Sequence, residues 1–321
     1  HARRHRAFSD TLHGMARTEN IIQTGATAVA DLAESATTIG FHEGPVAEES
    51  LIGQVLVERY HLLEQLGAGG MGTVYLAEHV TIGKRLAIKV LSREFAHKQE
   101  LVERFLQEAR AASMIAHENV VEITDFGRTP DGSVFFVMEH LAGEDLSATI
   151  AKEGPLPWSR VKPIALQICM ALEAAHAKGV IHRDMKPENC FRIARSSNQD
   201  FIKVLDFGIA KILSDAGEGG KGLTQTGSIF GTPEYMSPEQ AQGMRVDLRA
   251  DIYAVGVILY ECLTGKTPFT SETFMGVLTQ HMFEAPKAPS EVFPNASITP
   301  QVEALILKAL QKDRELRFQS M

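Results

Sequence analysis

Three side chains in one short polar loop carry the first chemical signal. In Val180-Ile181-His182-Arg183-Asp184-Met185-Lys186-Pro187-Glu188-Asn189 the carboxylate of Asp184 is followed two residues on by the amine of Lys186 and five residues on by the amide of Asn189. Transfer of a phosphoryl group needs those three functions near one point. A carboxylate orients the attacking hydroxyl and takes its proton, a cation holds the migrating group, and a carbonyl oxygen completes the shell of a hard divalent metal. A lone His-Arg-Asp tripeptide is most often a solvated turn, so the assignment depends on what the rest of the chain supplies.

Upstream, Tyr60-His61-Leu62-Leu63-Glu64-Gln65-Leu66 reads as a strand that runs into Gly67-Ala68-Gly69-Gly70-Met71-Gly72 and then into a second strand, Thr73-Val74-Tyr75-Leu76-Ala77. Glycines at 67, 69 and 72 let backbone amides approach anionic oxygens without Cβ obstruction. Dinucleotide-binding folds use a similar pattern, but theirs opens a helix, whereas β-branched and aromatic residues here continue as a strand. No Gly-Lys-Ser/Thr follows, which excludes a P-loop. A glycine-rich hairpin over phosphates remains.

A third strand, Arg85 to Leu91, embeds one cation, Lys89, among apolar residues. By alternation Lys89 shares its face with Ala87 and Leu91, and a cation on a partly apolar face needs an anionic partner. An amphipathic helix from about Gln99 to Ile115 follows, with Glu103 and Glu108 to choose from. Two strands, Val120 to Phe126 and Ser133 to Met138, precede the polar stretch Glu139-His140-Leu141-Ala142-Gly143. Leu156 to Lys178 has helical spacing, with Pro163 marking its reliable start or a kink, and Gly179 closes it. Cys190 to Ile193 and Phe201 to Leu205 read as a hairpin. Asp206-Phe207-Gly208 stands directly after it, a carboxylate at a strand end suited to metal. The same tripeptide at Asp125-Phe126-Gly127 is read as a plain turn, because only the copy at 206 follows the polar loop.

In this order, from about residue 57 to the end, these segments resemble the catalytic domain of protein kinases, and Lys186 resembles the serine/threonine class. The threonine-rich stretch before Gly231-Thr232-Pro233-Glu234-Tyr235-Met236-Ser237-Pro238-Glu239 resembles the activation segment of bacterial eukaryotic-like kinases. The resemblance implies an α+β, two-lobed fold: an N-lobe (57–142) with a five-stranded antiparallel sheet and one main helix, and a mostly helical C-lobe (143–321). It implies Mg·ATP as the phosphoryl source, with Mn²⁺ as the alternative metal, and proteins bearing Ser or Thr as acceptors. Asp184 would be the base, Lys186 would hold the γ-phosphoryl, Asn189 and Asp206 would hold metal, and Thr232 would shape the acceptor site. Lys89, aligned by Glu108, would position the α- and β-phosphates. Leu66, Gly67, Gly69, Gly72, Val74 and Ala87 would cover the nucleotide, Met138 would stand behind the adenine, and Phe191 would lie beneath it. Backbone groups of Glu139 and Leu141 would bond the adenine edge. Thr224, Thr226 and Ser228 would be regulatory phosphosites, read by a basic pocket of Arg104, Arg183 and Lys211. Asp251 would bind catalytic-loop amides, and Arg317 would pair with Glu239. Departures are small: Glu118 and Arg314 stand where proline is common.

Composition sets the outer bounds. The 321 residues, 44% of them apolar, suffice for one large domain plus an arm, and a net charge of −8 argues against a nucleic-acid partner. Cys169, Cys190 and Cys262 lack metal or disulfide spacing, which suits a reducing, cytoplasmic setting. No run reaches the roughly 18 apolar residues of a membrane span. The basic start, His1 to Arg6, has no apolar core behind it, so it is no signal peptide. Residues 1–56 read as a flexible arm, with Thr24 to Glu34 as its best helical stretch. A start without Met and an abrupt end suggest a fragment of a longer chain, one whose missing parts would include a membrane anchor or sensor in some arrangements. Homodimerisation for trans-autophosphorylation is a further expectation. Two other function classes stand beside the kinase reading. An inactive kinase-shaped interaction module would be expected to lack Lys89, Asp184 or Asp206, and a small-molecule phosphotransferase would be expected to lack the 231–239 segment.

Overall fold

Strand β4 (Arg85–Leu91) shows why the first half of the chain folds as it does. Leu86, Ala87, Ile88, Val90 and Leu91 are all buried, so both faces of the strand are covered, and Lys89 is its one polar interior residue. The computed structural model describes residues 51–69, 72–196, 198–207, 232–294 and 298–321. Around β4 it builds an antiparallel sheet in the order β1-β2-β3-β4-β6-β5, from β1 (Val55–Leu56), β2 (Tyr60–Gly69), β3 (Gly72–His79), β4, β5 (Ile123–Arg128) and β6 (Val134–Glu139). At Gly72 an added Cβ would lie 2.1 Å from the Val90 carbonyl oxygen, so this glycine lets β3 close onto β4.

Two helices follow β4: a single turn, α1 (Arg93–Ala96), and α2 (Gln99–Ser113). On α2 the apolar stripe Val102, Phe105, Ala109 and Ala112 faces inward at helical spacing. Phe105 packs on Phe136 of β6 with ring centroids 5.0 Å apart. Glu108, three residues after Phe105, is carried on that same stripe and is buried.

The second lobe is organised by helix. A small sheet of β7 (Gly143–Asp145), β8 (Cys190–Arg195) and β9 (Asn198–Val204) lies between α3 (Leu146–Glu153), α4 (Trp158–His176) and the first lobe. Beyond it come α5 (Pro238–Ala241), α6 (Arg249–Thr264), α7 (Phe274–Phe283), α8 (Pro289–Val292) and α9 (Pro300–Ala309). In α6 every residue except Arg249 and Glu261 is buried, which makes it the spine of the C-lobe core. The three cysteines are free, and burial pushes the Cys190 and Cys262 thiols above their usual range. Among the described residues no helix is long and apolar enough to cross a membrane.

Four sequence expectations need correction. The fold reaches back past 57: β1 pairs Val55 with His61 and Leu56 with Tyr60, Leu56 is fully buried, and Leu51 packs against the same core. The sheet therefore has six strands instead of five, with this two-residue strand as the addition. The one main helix expected here is present as α2, preceded by the single turn α1. Asp125-Phe126-Gly127 is not a turn but the middle of β5, where Asp125 accepts a hydrogen bond from the Tyr60 hydroxyl at 2.7 Å and pairs with Arg59 at 2.9 Å. Helix α4 starts at Trp158, so Pro163 lies inside it, in the second turn. The remaining residues of the expected arm, 1–50, lie outside the described residues.

Candidate active site

The polar loop is held by a carboxylate that arrives from the core. Asp251, in the first turn of α6, is fully buried. Its Oδ2 accepts the His182 backbone N–H at 2.9 Å and its Oδ1 accepts the Arg183 N–H at 2.8 Å. The His176 imidazole Nε2 also lies 2.8 Å from Oδ2. Arg183 needs this support because its φ of 65° is left-handed, a conformation side chains rarely adopt. Its carbonyl is held from the other side by Gln240 Nε2 at 2.8 Å. Ser237 and Gln240 form a capping box at the start of α5, which fixes the Gln240 side chain.

His182 is fully buried and joins this loop to the strand that carries Asp206. Its Nδ1 accepts the Asp184 N–H at 3.3 Å, so the proton sits on Nε2, which donates to the Leu205 carbonyl at 2.8 Å. Burial lowers the imidazole's proton affinity, and nearby carboxylates offset this only in part, so His182 is neutral. Its ring packs against Phe207, centroids 4.7 Å apart. Leu205 N–H in turn donates to the Asn189 carbonyl at 2.9 Å.

Asn189 turns its amide nitrogen onto the Asp184 backbone carbonyl at 2.7 Å, which leaves the amide oxygen as the end available to a ligand. Lys186 Nζ lies 3.7 Å from the Asp184 carboxylate and 3.2 Å from the Thr232 hydroxyl. A shallow recess beside this pair is lined by Asp184, Lys186, Thr232 and Tyr235. Tyr235 donates to Glu261 at 2.6 Å, which pins the segment that brings Thr232 to the loop.

Lys89 closes the cluster from the first lobe. Its ammonium is 3.1 Å from Glu108 Oε1 and 2.9 Å from Asp206 Oδ1. Burial alone would depress the lysine's pKa, but the two carboxylates outweigh it and raise it, so Lys89 is charged. Burial also raises the Glu108 pKa, opposed by Lys89 and reinforced by Asp206. The Asp206 pKa is lowered, because the Lys89 charge outweighs burial. Asp206 has a left-handed φ of 46° and keeps 42% of its side-chain surface open, so it can still meet a ligand.

The oxygens on offer, an Asp206 carboxylate and an Asn189 amide, are hard donors of the kind Mg²⁺ or Mn²⁺ takes. Among the described residues no group of three or more His, Cys, Asp or Glu could hold a metal alone, so an ion here would depend on ligand and water oxygens as well. That division suits a cation bound together with a polyphosphate.

The other expected nucleotide contacts are spread over both sheets and the connection between them. Val74 is registered against Lys89, and Ala87 against Met138. Glu139 ends β6, Leu141 is half-buried in the connection to β7, and Phe191 of β8 faces Asp145. Leu66 is exposed on β2, and at Gly67 and Gly69 an added Cβ would meet nothing within 4 Å. Arg317 and Glu239 form the expected buried pair, 2.7 and 2.8 Å apart at their two contacts. Thr224, Thr226, Ser228, Lys211, Gly208 and the side chain of Arg104 lie outside the described residues, so of the expected basic pocket only Arg183 is described. Sequence reasoning missed Gln240 and His176 as supports of the loop, and Lys203 beside Glu139. None of the three lies in a motif, and only the capping-box spacing of Ser237 and Gln240 could have pointed to one of them.

The fold is shared with known proteins. The family description of the protein kinase domain matches residues 60–321. The chain is 45% identical over 265 residues to serine/threonine-protein kinase pkn3 of Myxococcus xanthus, covering 83% of this chain and 48% of that protein. It is 47% identical over 275 residues to Pkn1 of the same organism, covering 86% and 38%. To PknB of Mycolicibacterium smegmatis it is 40% identical over 270 residues, covering 83% and 42%. The chain thus spans less than half the length of these curated relatives. Among solved structures, the PknI kinase domain of Mycobacterium tuberculosis superposes with a TM-score of 0.64 at 27% identity, covering 84% of this chain and 94% of that one.

Proposed function

This chain belongs to the protein kinase family, and from that premise we propose that it is an ATP-dependent serine/threonine protein kinase. The observation that carries the reading is the Lys186 ammonium, set between the Asp184 carboxylate and the Thr232 hydroxyl. It joins a base, a phosphoryl-holding cation and the segment that would receive a peptide. The names of the relatives, all serine/threonine-protein kinases, support the acceptor class.

In this reading the acceptor hydroxyl oxygen attacks the γ-phosphorus of ATP and its proton passes to Asp184. The bond from the γ-phosphorus to the β,γ-bridging oxygen breaks, and ADP leaves. Lys186 neutralises charge on the moving phosphoryl, and Lys89, held by Glu108, neutralises the α- and β-phosphates. Asp206 and Asn189 would hold a Mg²⁺ ion, which would supply further positive charge to the phosphate oxygens. The protein's own contribution is position and electrostatics: a buried Asp251 holding the loop, and a buried Glu108 holding the cation. Thr224, Thr226 and Ser228 are the proposed sites of autophosphorylation, in trans between two copies of the chain.

Incubation with Mg·ATP and a general protein substrate, followed by mapping of phosphorylated residues, tests the reading. Phosphate on Ser and Thr of the substrate is expected, together with phosphate at Thr224 or Thr226. Transfer confined to small-molecule hydroxyls, or none at all from an ATP-binding chain, would replace it with one of the two other function classes.

A further inference from the structure

A buried lysine outside the catalytic cluster links three parts of the cleft. Lys203 lies on β9, three residues before Asp206, and is 6% exposed. A lysine removed from water to this extent needs a partner, and Lys203 has two. Its ammonium donates to the Glu139 carboxylate at 2.6 Å and to the Val120 carbonyl at 3.1 Å. Across the hairpin it is registered against Phe191, the residue expected beneath the adenine.

Glu139 is the last residue of β6 and the first of the connection between the lobes. It is tied at two further points: its N–H donates to the Glu122 carbonyl at 3.0 Å and its Oε1 accepts the Glu122 N–H at 2.9 Å. The loop before β5 is itself fastened to β9, through Val121 N–H to the Val204 carbonyl at 3.0 Å and Val204 N–H to the Asn119 carbonyl at 2.7 Å. Lys203 is therefore the charged member of a clamp that fixes the start of the interlobe connection against the strand leading to Asp206.

We propose that Lys203 is a positioning residue of the nucleotide pocket: through Glu139 it sets the backbone of residues 139–141 and thereby the affinity for the adenine part of ATP. The inference rests on the reading of this cleft as an ATP site. Lys203 touches neither phosphate nor acceptor, so its loss acts on nucleotide binding and leaves the transfer step in place.

The test uses the 321-residue chain and its Lys203→Met, Glu139→Gln and doubly substituted forms. Adenosine affinity is read by calorimetry, KM and kcat for ATP by phosphate transfer, and folding by thermal melting. With Lys203→Met, the adenosine dissociation constant and the KM for ATP both rise about ten-fold, the scale of one hydrogen bond to a charged group. The kcat stays within about three-fold, because chemistry limited by Asp184 and Lys186 is untouched. Adding Lys203→Met to Glu139→Gln raises the two constants by less than the same change does in the wild-type chain, since the charge of the partner is already gone. Unchanged adenosine affinity and KM, even with a lowered melting temperature, would make Lys203 a purely structural residue and overturn the proposal. Additive effects in the double variant would overturn it as well. If Lys203→Met does not fold, Glu139→Gln decides alone: it keeps Oε1 as acceptor for Lys203 and Glu122 and removes only the charge, so an adenosine dissociation constant and a KM for ATP raised several-fold support the proposal and wild-type values overturn it. A wild-type chain that binds neither adenosine nor ATP would sink the ATP-site reading itself, a different outcome from a variant that binds as wild type does.

Discussion

Asp251→Asn is the perturbation whose consequences follow most directly from the geometry. The Asp251 carboxylate accepts on both oxygens, Oδ1 from Arg183 N–H and Oδ2 from His182 N–H, with His176 Nε2 also at Oδ2. An asparagine offers one acceptor oxygen and one NH₂. Its better orientation keeps the oxygen at the Oδ2 position and turns NH₂ toward the Arg183 N–H, so two donors face each other in a site with no solvent access. One hydrogen bond to a charged acceptor is lost, worth about 1.5–3 kcal/mol, and a buried donor is left unmet at about 1–3 kcal/mol. The Arg183 N–H also secures a left-handed residue, whose strain of roughly 1–2 kcal/mol is then relieved by relaxation of the loop. A net loss of about 3 kcal/mol follows, or roughly 5 °C in melting temperature for a domain of this size. Relaxation at Arg183 displaces Asp184, its neighbour, and misplacement by about 1 Å costs on the order of 100-fold in kcat. The KM for ATP should hold, because Lys89 and residues 139–141 make no bond to Asp251. Thermal melting and steady-state kinetics on the same preparation give both numbers. A variant with a melting temperature within about 2 °C of wild type and an unchanged kcat would refute the reasoning.

Two further perturbations test the frame around the site. Arg317→Met removes the only ionic partner shown for Glu239 among the described residues and leaves that carboxylate buried, so urea denaturation should report a loss of about 3–5 kcal/mol. Replacing Glu239 by Met as well should recover a large part of that loss, since the uncompensated charge is gone. His281 is fully enclosed, 2.8 Å from the Tyr253 hydroxyl, and burial with the nearby Lys312 charge pushes its pKa down to about 3. A depressed pKa contributes stability that is present above the unfolded value near 6.5 and is lost as pH falls toward 3. Between pH 7 and pH 5 this one residue should therefore withdraw about 2 kcal/mol, and His281→Gln should flatten the acid limb of the stability curve by that amount.

The parts of the site that could be read from the chain are those in which a short segment carries its own chemistry. The Asp184, Lys186, Asn189 spacing, the cation at Lys89 and the acid at Asp206 are local signals. The residues alone left Glu103 and Glu108 as partners for Lys89 and the family resemblance pointed to Glu108; in the fold Glu103 is exposed, whereas Glu108 shares the inward stripe with Phe105 and meets the ammonium. The parts that could not be read depend on contacts between distant segments. Two residues, Val55 and Leu56, have no strand periodicity of their own and become β1 only by pairing with Tyr60 and His61. Asp125-Phe126-Gly127 has the composition of a turn, yet β6 takes it into the sheet edge as β5. Pro163 lacks the N–H a helix uses, but α4 runs through it, held on one side by the buried row Val161, Ile164 and Ile168. The left-handed backbone at Arg183 and Asp206 leaves no trace in residue type, because both conformations are imposed by Asp251, Gln240 and Lys89 from elsewhere in the fold. Lys203 looked like one more strand residue, and only the position of Glu139, 64 residues away, gives it a role.

The central claim is that Asp184, set beside Lys186 and Thr232, takes the proton of an attacking hydroxyl. Single-turnover transfer from radiolabelled Mg·ATP to a protein substrate, comparing the chain with its Asp184→Asn form, measures that step directly. Loss of a positioned base predicts a rate lower by about 10²–10⁴-fold with nucleotide binding retained. A variant that transfers phosphate at the wild-type rate would contradict the claim.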